Sequence, residues 1–125
     1  MREEIRNCWR QAEEDLITAR ANIGVTRYYA SVFFSQQAAE KALKAYYILR
    51  FKELPQSHNL VDMAKALHAD SKIVSAAREL NPEYLVTRYV DAANGVPADM
   101  YDEKSAKLHL KCAKEIIDWV KKKMK

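Results

Sequence analysis

The residues that could do chemistry are polar side chains placed where apolar ones would be expected. One stripe at helical spacing interrupts a strongly apolar segment: Gln37, Glu40, Lys41, Lys44. Arginine binds phosphate through paired hydrogen bonds, lysine attracts it as a point charge, and a tyrosine ring offers a stacking surface. These residue types could hold a phosphate and stack a base. The predicted nucleotide-binding residues are Lys41, Lys44, His58, Arg88, Tyr89, Asp91 and Tyr101.

The same residues also allow a structural interpretation. Arg88 could pair with Asp91 or Glu40, and Glu40 could pair with Lys44 one helical turn later. His58 follows a proline-containing turn and could cap the start of a helix. From spacing alone, a purely structural or dimerisation role stays open beside the ligand site.

The elements that must position these residues are helices. Glycine and proline make up only 5 of the 125 residues, well under the usual share of about 12%, which favours a few long helices over a turn-rich β fold. Apolar residues recurring every three or four positions predict about five helices in a single all-α domain over residues 1–125. The predicted segments are 3–23, 27–50, one opening after residue 58, one from about 70, a short restart at 82–89, and a last helix from about 102. Residues 92–100 are predicted as the longest non-helical loop.

Local signals refine these boundaries. Gly24 is predicted to end the first helix, and Thr26, Asn81 and Asp102 are predicted to cap the second helix, the restart at Pro82 and the last helix. The second helix is apolar around nearly its whole circumference, which predicts a central position in the fold.

Several classes of function are disfavoured by what the sequence contains. The only glycines, Gly24 and Gly95, lie too far apart for a glycine-rich phosphate loop, so a nucleotide contact must come from side chains. The three histidines lack the spacing of a helical metal pair and there is no Cys-x-x-Cys motif, so we predict no metal site. His109, in the middle of an apolar helix face, is interpreted as a core or interface histidine.

The two cysteines bear on the cellular compartment. Cys8 and Cys112 lie on apolar helical stripes and are predicted to be reduced core residues of a cytoplasmic protein. No apolar run approaches the roughly 18–20 residues that cross a membrane.

The formal net charge is +4, and four lysines at the C-terminal end supply that amount by themselves. This lysine tail is interpreted as a solvated helix end rather than a dedicated polyanion contact.

One block of sequence resembles a known family. Residues 35–45, Ser-Gln-Gln-Ala-Ala-Glu-Lys-Ala-Leu-Lys-Ala, are similar to the signature of HEPN domains, the higher eukaryote and prokaryote nucleotide-binding family. Other landmarks follow in the family's order over nearly the whole chain. They are Ala12-x-x-Asp15-Leu16-x-x-Ala19, His58-Asn59-Leu60, Arg88-Tyr89-Val90-Asp91, and the positions Tyr101, Ala106 and Ala113.

The resemblance implies an up-and-down helical bundle that forms a homodimer. It also implies a partner protein, a minimal nucleotidyltransferase, in a two-component system of the toxin–antitoxin kind, with ATP or another nucleotide as a ligand. Several branches of the family are metal-independent ribonucleases that use an Arg-x4–6-His motif. Here no histidine follows Arg88 until His109, and Val90 replaces the family's proline. We therefore expect a binding subunit without catalytic residues of its own, with a homodimeric ribonuclease toxin using Arg88 and His58 as the alternative.

Overall fold

The computed structural model describes residues 2–125, and residue 1 of the predicted domain lies outside that range. Over this range the chain is all-helical, as predicted. The elements are α1 (Arg2–Gly24), α2 (Tyr28–Phe51), α3 (Leu60–Ala66), α4 (Ser71–Leu80), α5 (Glu83–Val86), α6 (Val90–Ala93), a 3-10 turn (Pro97–Asp99) and α7 (Glu103–Lys123). Seven α-helices occupy the described residues instead of about five, because α5 and α6 are single turns. The predicted loop over residues 92–100 contains the end of α6 and the 3-10 turn.

The long helices form a bundle around α2. Asp15 on α1 meets Lys41 on α2, and Glu4 faces Lys44, so the two helices run antiparallel. Helix α2 also packs against α7, α3 and α5. Half of its residues are buried, which agrees with the prediction that α2 is central.

The hydrophobic core draws on every long helix. Its largest fully buried apolar side chains are Leu43, Ile48, Leu60, Leu80 and Ile116, and each such side chain contributes about 1.5–3 kcal/mol when removed from water. The two cysteines are free; Cys112 is buried, and Cys8 is only half-buried. Among residues 2–125, no helix is both long and apolar enough to cross a membrane.

Helix ends show where local prediction succeeds and fails. Asp102 caps α7, as predicted, and forms a reciprocal capping box with Ser105. Thr26 does not cap α2: its backbone is left-handed (φ 60°) and its hydroxyl donates to the carbonyl of Val25. The prediction for Asn81 is also wrong, because its side chain accepts from the backbone N–H of Leu60, the first residue of α3.

Candidate functional site

A continuous line of hydrogen bonds crosses α2 from helix α1 to the loop before α3. Its members, named here the α2 polar chain, are Gln11, Asp15, Gln36, Gln37, Glu40, Lys41 and His58. At the α1 end, Lys41 Nζ lies 3.0 Å from Asp15 Oδ2 and 3.0 Å from Gln37 Oε1. Gln11 donates to the second oxygen of Asp15 at 2.9 Å. The carboxylate of Asp15 is therefore held by partners on two helices.

The other half of the α2 polar chain leads to His58. Gln37 Nε2 donates to Gln36 Oε1 at 2.7 Å, and Gln36 Nε2 donates to Glu40 Oε1 at 3.2 Å. The second oxygen of Glu40 lies 3.1 Å from Nδ1 of His58. Asn59 rather than His58 is the N-cap of α3, so the suggestion that His58 caps a helix is wrong.

The ion pair between Glu40 and Lys44, which their helical spacing suggested, does not form. Glu40 is engaged by Gln36 and His58, and Lys44 turns instead toward Glu4 of α1, with its Nζ 3.9 Å from Glu4 Oε1. Polar groups buried in a low-dielectric interior need partners, and Glu40, which is 9% exposed, finds both of its own within the chain. The α2 polar chain is thus largely satisfied by its own members.

Arg88 has a different environment. Its guanidinium carbon lies 4.2 Å from the ring centroid of Tyr84, 5.0 Å from that of Tyr89 and 5.6 Å from that of Phe33. Its Nε donates to the carbonyl of Tyr84 at 3.1 Å. Within residues 2–125, no carboxylate lies within 4.0 Å of the guanidinium, so pairing with Asp91 or Glu40 does not occur.

Apolar side chains are exposed around this arginine. Tyr89 is 50% exposed, Leu85 49% and Val90 61%. Together with Tyr84 and Arg88 they are named here the Arg88 surface. Val96 and Met100, in the segment that follows, are also large apolar residues left exposed. Arginine and tyrosine amid accessible apolar area are the composition that recognition surfaces favour.

A buried cluster of polar side chains joins α5 to α7 beside the Arg88 surface. Glu83, in the first turn of α5, accepts from the hydroxyl of Tyr101 at 3.1 Å and lies 3.1 Å from Nε2 of His109 on α7. The other ring nitrogen of His109 donates to the carbonyl of Ser105 at 2.7 Å. Both Glu83 and His109 are buried. The cluster, named here the Glu83 anchor, ties α5 to α7 and to the segment between them.

The surroundings within the Glu83 anchor raise the pKa values of His109 and Tyr101. Burial by itself lowers the pKa of His109, but hydrogen bonds to Glu83 and Ser105 and the charges of Glu83 and Glu79 outweigh it, so the pKa is raised. Both ring nitrogens face acceptors, which favours the imidazolium form. The pKa of the Tyr101 hydroxyl is also raised, chiefly by burial and then by the adjacent charge of Glu83.

The seven predicted site residues fall in three places. Lys41, Lys44 and His58 lie in or beside the α2 polar chain, Arg88, Tyr89 and Asp91 lie at α5–α6, and Tyr101 belongs to the Glu83 anchor. Asp91 is exposed on α6. His109 was predicted as a core or interface histidine, but Glu83 was not singled out, because its place in a first helical turn resembled an ordinary helix-dipole contact.

Comparison with known families identifies the class of protein. Residues 5–123 match the HEPN domain, and the chain belongs to the HEPN family. The match covers nearly all of the sequence, as the resemblance of residues 35–45 and the later landmarks predicts.

Solved structures agree with that membership. TT1696 from Thermus thermophilus has a TM-score of 0.88 and 31% sequence identity, with 95% of this chain and 97% of that chain covered. ST0689, an archaeal HEPN homologue, has a TM-score of 0.85 and 31% identity, with 97% and 98% covered. A HEPN domain protein of Thermotoga maritima has a TM-score of 0.75 and 25% identity, with 94% and 97% covered. Among curated proteins, none matches this chain.

Proposed function

We propose that this chain is a nucleotide- or partner-binding subunit of a two-component, toxin–antitoxin-like system, that it acts as a homodimer, and that its partner is a minimal nucleotidyltransferase. In this proposal the chain performs no catalysis by itself. Its Arg88 surface contacts the phosphate of a nucleotide, either free or presented by the partner. Membership of the HEPN family supports the general class, and the environment of Arg88 supports the location.

The observation that carries the proposal is the open guanidinium of Arg88. Its Nε is used by the carbonyl of Tyr84, while the two terminal nitrogens have no hydrogen-bond partner within residues 2–125. Three aromatic rings surround the guanidinium, which restricts the side chain without neutralising its charge. A planar cation oriented in this way can donate paired hydrogen bonds to two oxygens of a phosphate.

The neighbours of Arg88 fit the rest of such a ligand. The half-exposed ring of Tyr89 offers a stacking surface for a base, and Leu85 and Val90 offer apolar area to a protein partner. By contrast, Lys41 already has Asp15 as its counter-ion. A phosphate bound there would have to displace an existing carboxylate, whereas Arg88 binds a phosphate without breaking an ion pair.

Calorimetry with ATP and other nucleotides tests this location. Arg88→Ala is expected to lower affinity by about 10- to 100-fold, because a hydrogen-bonded charge contributes about 1.5–3 kcal/mol. Arg50→Ala is a matched control, since Arg50 is also exposed and its guanidinium lies 6.0 Å from the ring of Phe51. The control is expected to bind as the unaltered protein does.

Partner capture provides the second measurement. A minimal nucleotidyltransferase, the proposed partner, should be pulled down by the unaltered protein and by Arg50→Ala, but weakly by Arg88→Ala. The proposal fails if no nucleotide gives heat and if Arg88→Ala together with Lys44→Ala leaves the pull-down intact.

A second candidate function, a homodimeric ribonuclease, is favoured by one observation at His58. Its side chain is 78% exposed and its Nδ1 is held by Glu40, which leaves Nε2 open to solvent. An imidazole oriented by a carboxylate is suited to act as a general acid or base, and Arg88 would supply the positive charge. Incubation with tRNA and mRNA separates the two functions. Cleavage lost in both His58→Ala and Arg88→Ala supports the ribonuclease, and intact RNA with the unaltered protein rejects it.

A further inference from the structure

Positive charge is concentrated at one end of this molecule. Residues 103–125 contain eight lysines and three acidic residues, a net charge of +5, while the preceding 102 residues carry a net charge of −1. Helix α7 and the two residues after it therefore hold more than the whole formal charge of +4. The lysine tail seen in the sequence is the end of a longer basic element.

The fold aligns these lysines along one side of α7. At about 100° per residue, six of them fall within an arc of about 100°, and that arc is opposite the side that enters the core. All six are exposed. They are named here the α7 lysine face: Lys104, Lys107, Lys111, Lys114, Lys121 and Lys122. With a rise of about 1.5 Å per residue, the face is about 27 Å long.

Most of the α7 lysine face lacks a counter-ion. Lys107 is bonded to Glu103 at 2.7 Å, but no carboxylate within residues 2–125 lies within 4.0 Å of the other five. Asp118 lies within the arc, and Glu115 at its edge is bonded to Lys72 of α4 at 3.1 Å. The face therefore keeps a net positive charge along its length.

We propose that the α7 lysine face is a docking surface for the phosphate backbone of a nucleic-acid duplex, bound without regard to sequence. A line of positive charges along one helix face is complementary to a row of phosphates, and neutralising each phosphate releases a condensed counterion. The surface is separate from Arg88 and does not depend on the function proposed for that residue.

The composition of the face favours a duplex over other polyanions. Proteins that hold single strands combine basic grooves with aromatic rings on which bases stack, and none of the exposed residues in this arc is aromatic. Helices that bind membrane surfaces insert an apolar side into the lipid. The apolar side of α7, including Ala113, Ile116 and Val120, is buried in the bundle instead.

Fluorescence anisotropy with a labelled DNA duplex of about 20 base pairs tests the proposal. For B-DNA, five or six phosphate contacts predict that log K falls with log salt concentration with a slope of about −4.5 to −5.5. Lys111→Glu with Lys114→Glu is expected to weaken binding at least tenfold at low salt. The matched control, Lys52→Glu with Lys65→Glu, makes the same change in net charge on exposed lysines outside α7 and should retain most of the affinity.

Three outcomes would overturn the proposal, with circular dichroism confirming that each variant is folded. One is no binding of the duplex at low salt. Another is an equal loss in the face variant and its control, which would indicate attraction by net charge alone. The third is a single strand of the same length, or vesicles of anionic lipid, binding more tightly than the duplex does.

Discussion

The α2 polar chain and the Arg88 surface contain similar residue types, but their charged groups differ in whether they have partners within the protein. In the α2 polar chain, Lys41 meets Asp15 at 3.0 Å, and Glu40 accepts from Gln36 and contacts His58. On the Arg88 surface, the guanidinium lies among aromatic rings and has no carboxylate partner within residues 2–125. One region satisfies its polar groups internally, and the other leaves a cation open to solvent.

This difference distinguishes residues that maintain the fold from residues available to a ligand. A family signature such as that of residues 35–45 attracts attention as a binding motif, yet its polar side chains mainly join α1, α2 and the loop before α3. The Arg88 surface makes one contact of this kind, between Arg88 and Phe33 of α2. It rests on the Glu83 anchor, whose charges are buried and paired.

The largest expected effect comes from removing the support under the Arg88 surface. His109→Ala leaves the carboxylate of Glu83 buried with Tyr101 as its remaining partner. Breaking a buried pair in this way costs about 3–5 kcal/mol, which urea denaturation would measure as a loss in the free energy of unfolding. His68→Asn is the control, because that side chain is exposed and asparagine tolerates its left-handed backbone, and it should cost less than about 1 kcal/mol. Equal losses in the two variants would show that the Glu83 anchor is not specially important.

A smaller effect is expected in the α2 polar chain. Asp15→Ala removes the counter-ion of Lys41, which is itself 29% exposed, so a loss of about 2 kcal/mol in stability is expected. Lys41→Met retains the apolar stem and removes the charge. A double-mutant cycle with these two changes should give a coupling of about 1–2 kcal/mol. Independent, additive effects would contradict the internal pairing.

The pH dependence of stability provides a test of the charge on His109. Its folded-state pKa is raised above the ordinary value of 6.5, so its contribution is complete below that pH and is lost as pH rises through the folded pKa. The difference in unfolding free energy between the unaltered protein and His109→Gln should therefore shrink from acid to alkaline pH, by at most about 1.4 kcal/mol per pH unit. A difference that grows with pH would mean that His109 is neutral in the fold.

The smallest effect is expected at the start of α3, beside the His58 end of the α2 polar chain. Asn81→Ala removes the acceptor for the N–H of Leu60 and should cost about 1 kcal/mol. Asn7→Ala, an exposed change on α1, is the control and should be close to neutral. Thermal unfolding of both variants would measure the difference. If Asn81→Ala is also neutral, water satisfies this helix end equally well.

Much of this architecture can be predicted from periodicity in the sequence. The long helices each present an apolar face, α2 is apolar around most of its surface, and Asp102 stands where a helix cap is expected, so all three predictions are confirmed. Helix α5 lies within the short restart predicted at 82–89, whereas α6 was not predicted, because four residues give no periodic signal. The partner of Asn81 lies 21 residues away, and Thr26 adopts a left-handed conformation that its residue type does not favour.

The seven candidate site residues stay a prediction, and the fold decides how they are grouped. Residue types suggested one pocket of seven side chains, whereas the structure distributes them among the α2 polar chain, the α5–α6 segment and the Glu83 anchor. The pairing of Glu83 with His109 joins residues on different helices, so no local spacing could reveal it. The aromatic surroundings of Arg88 likewise depend on Phe33, which α2 brings from a distant part of the sequence.

The most direct test measures ATP affinity and melting temperature together for Arg88→Ala and Lys41→Met. The expected result is that Arg88→Ala lowers affinity by about 10- to 100-fold with little change in melting temperature, while Lys41→Met lowers the melting temperature and leaves affinity unchanged. The opposite pattern, with affinity lost in Lys41→Met and kept in Arg88→Ala, would place the ligand on the α2 polar chain and contradict this account.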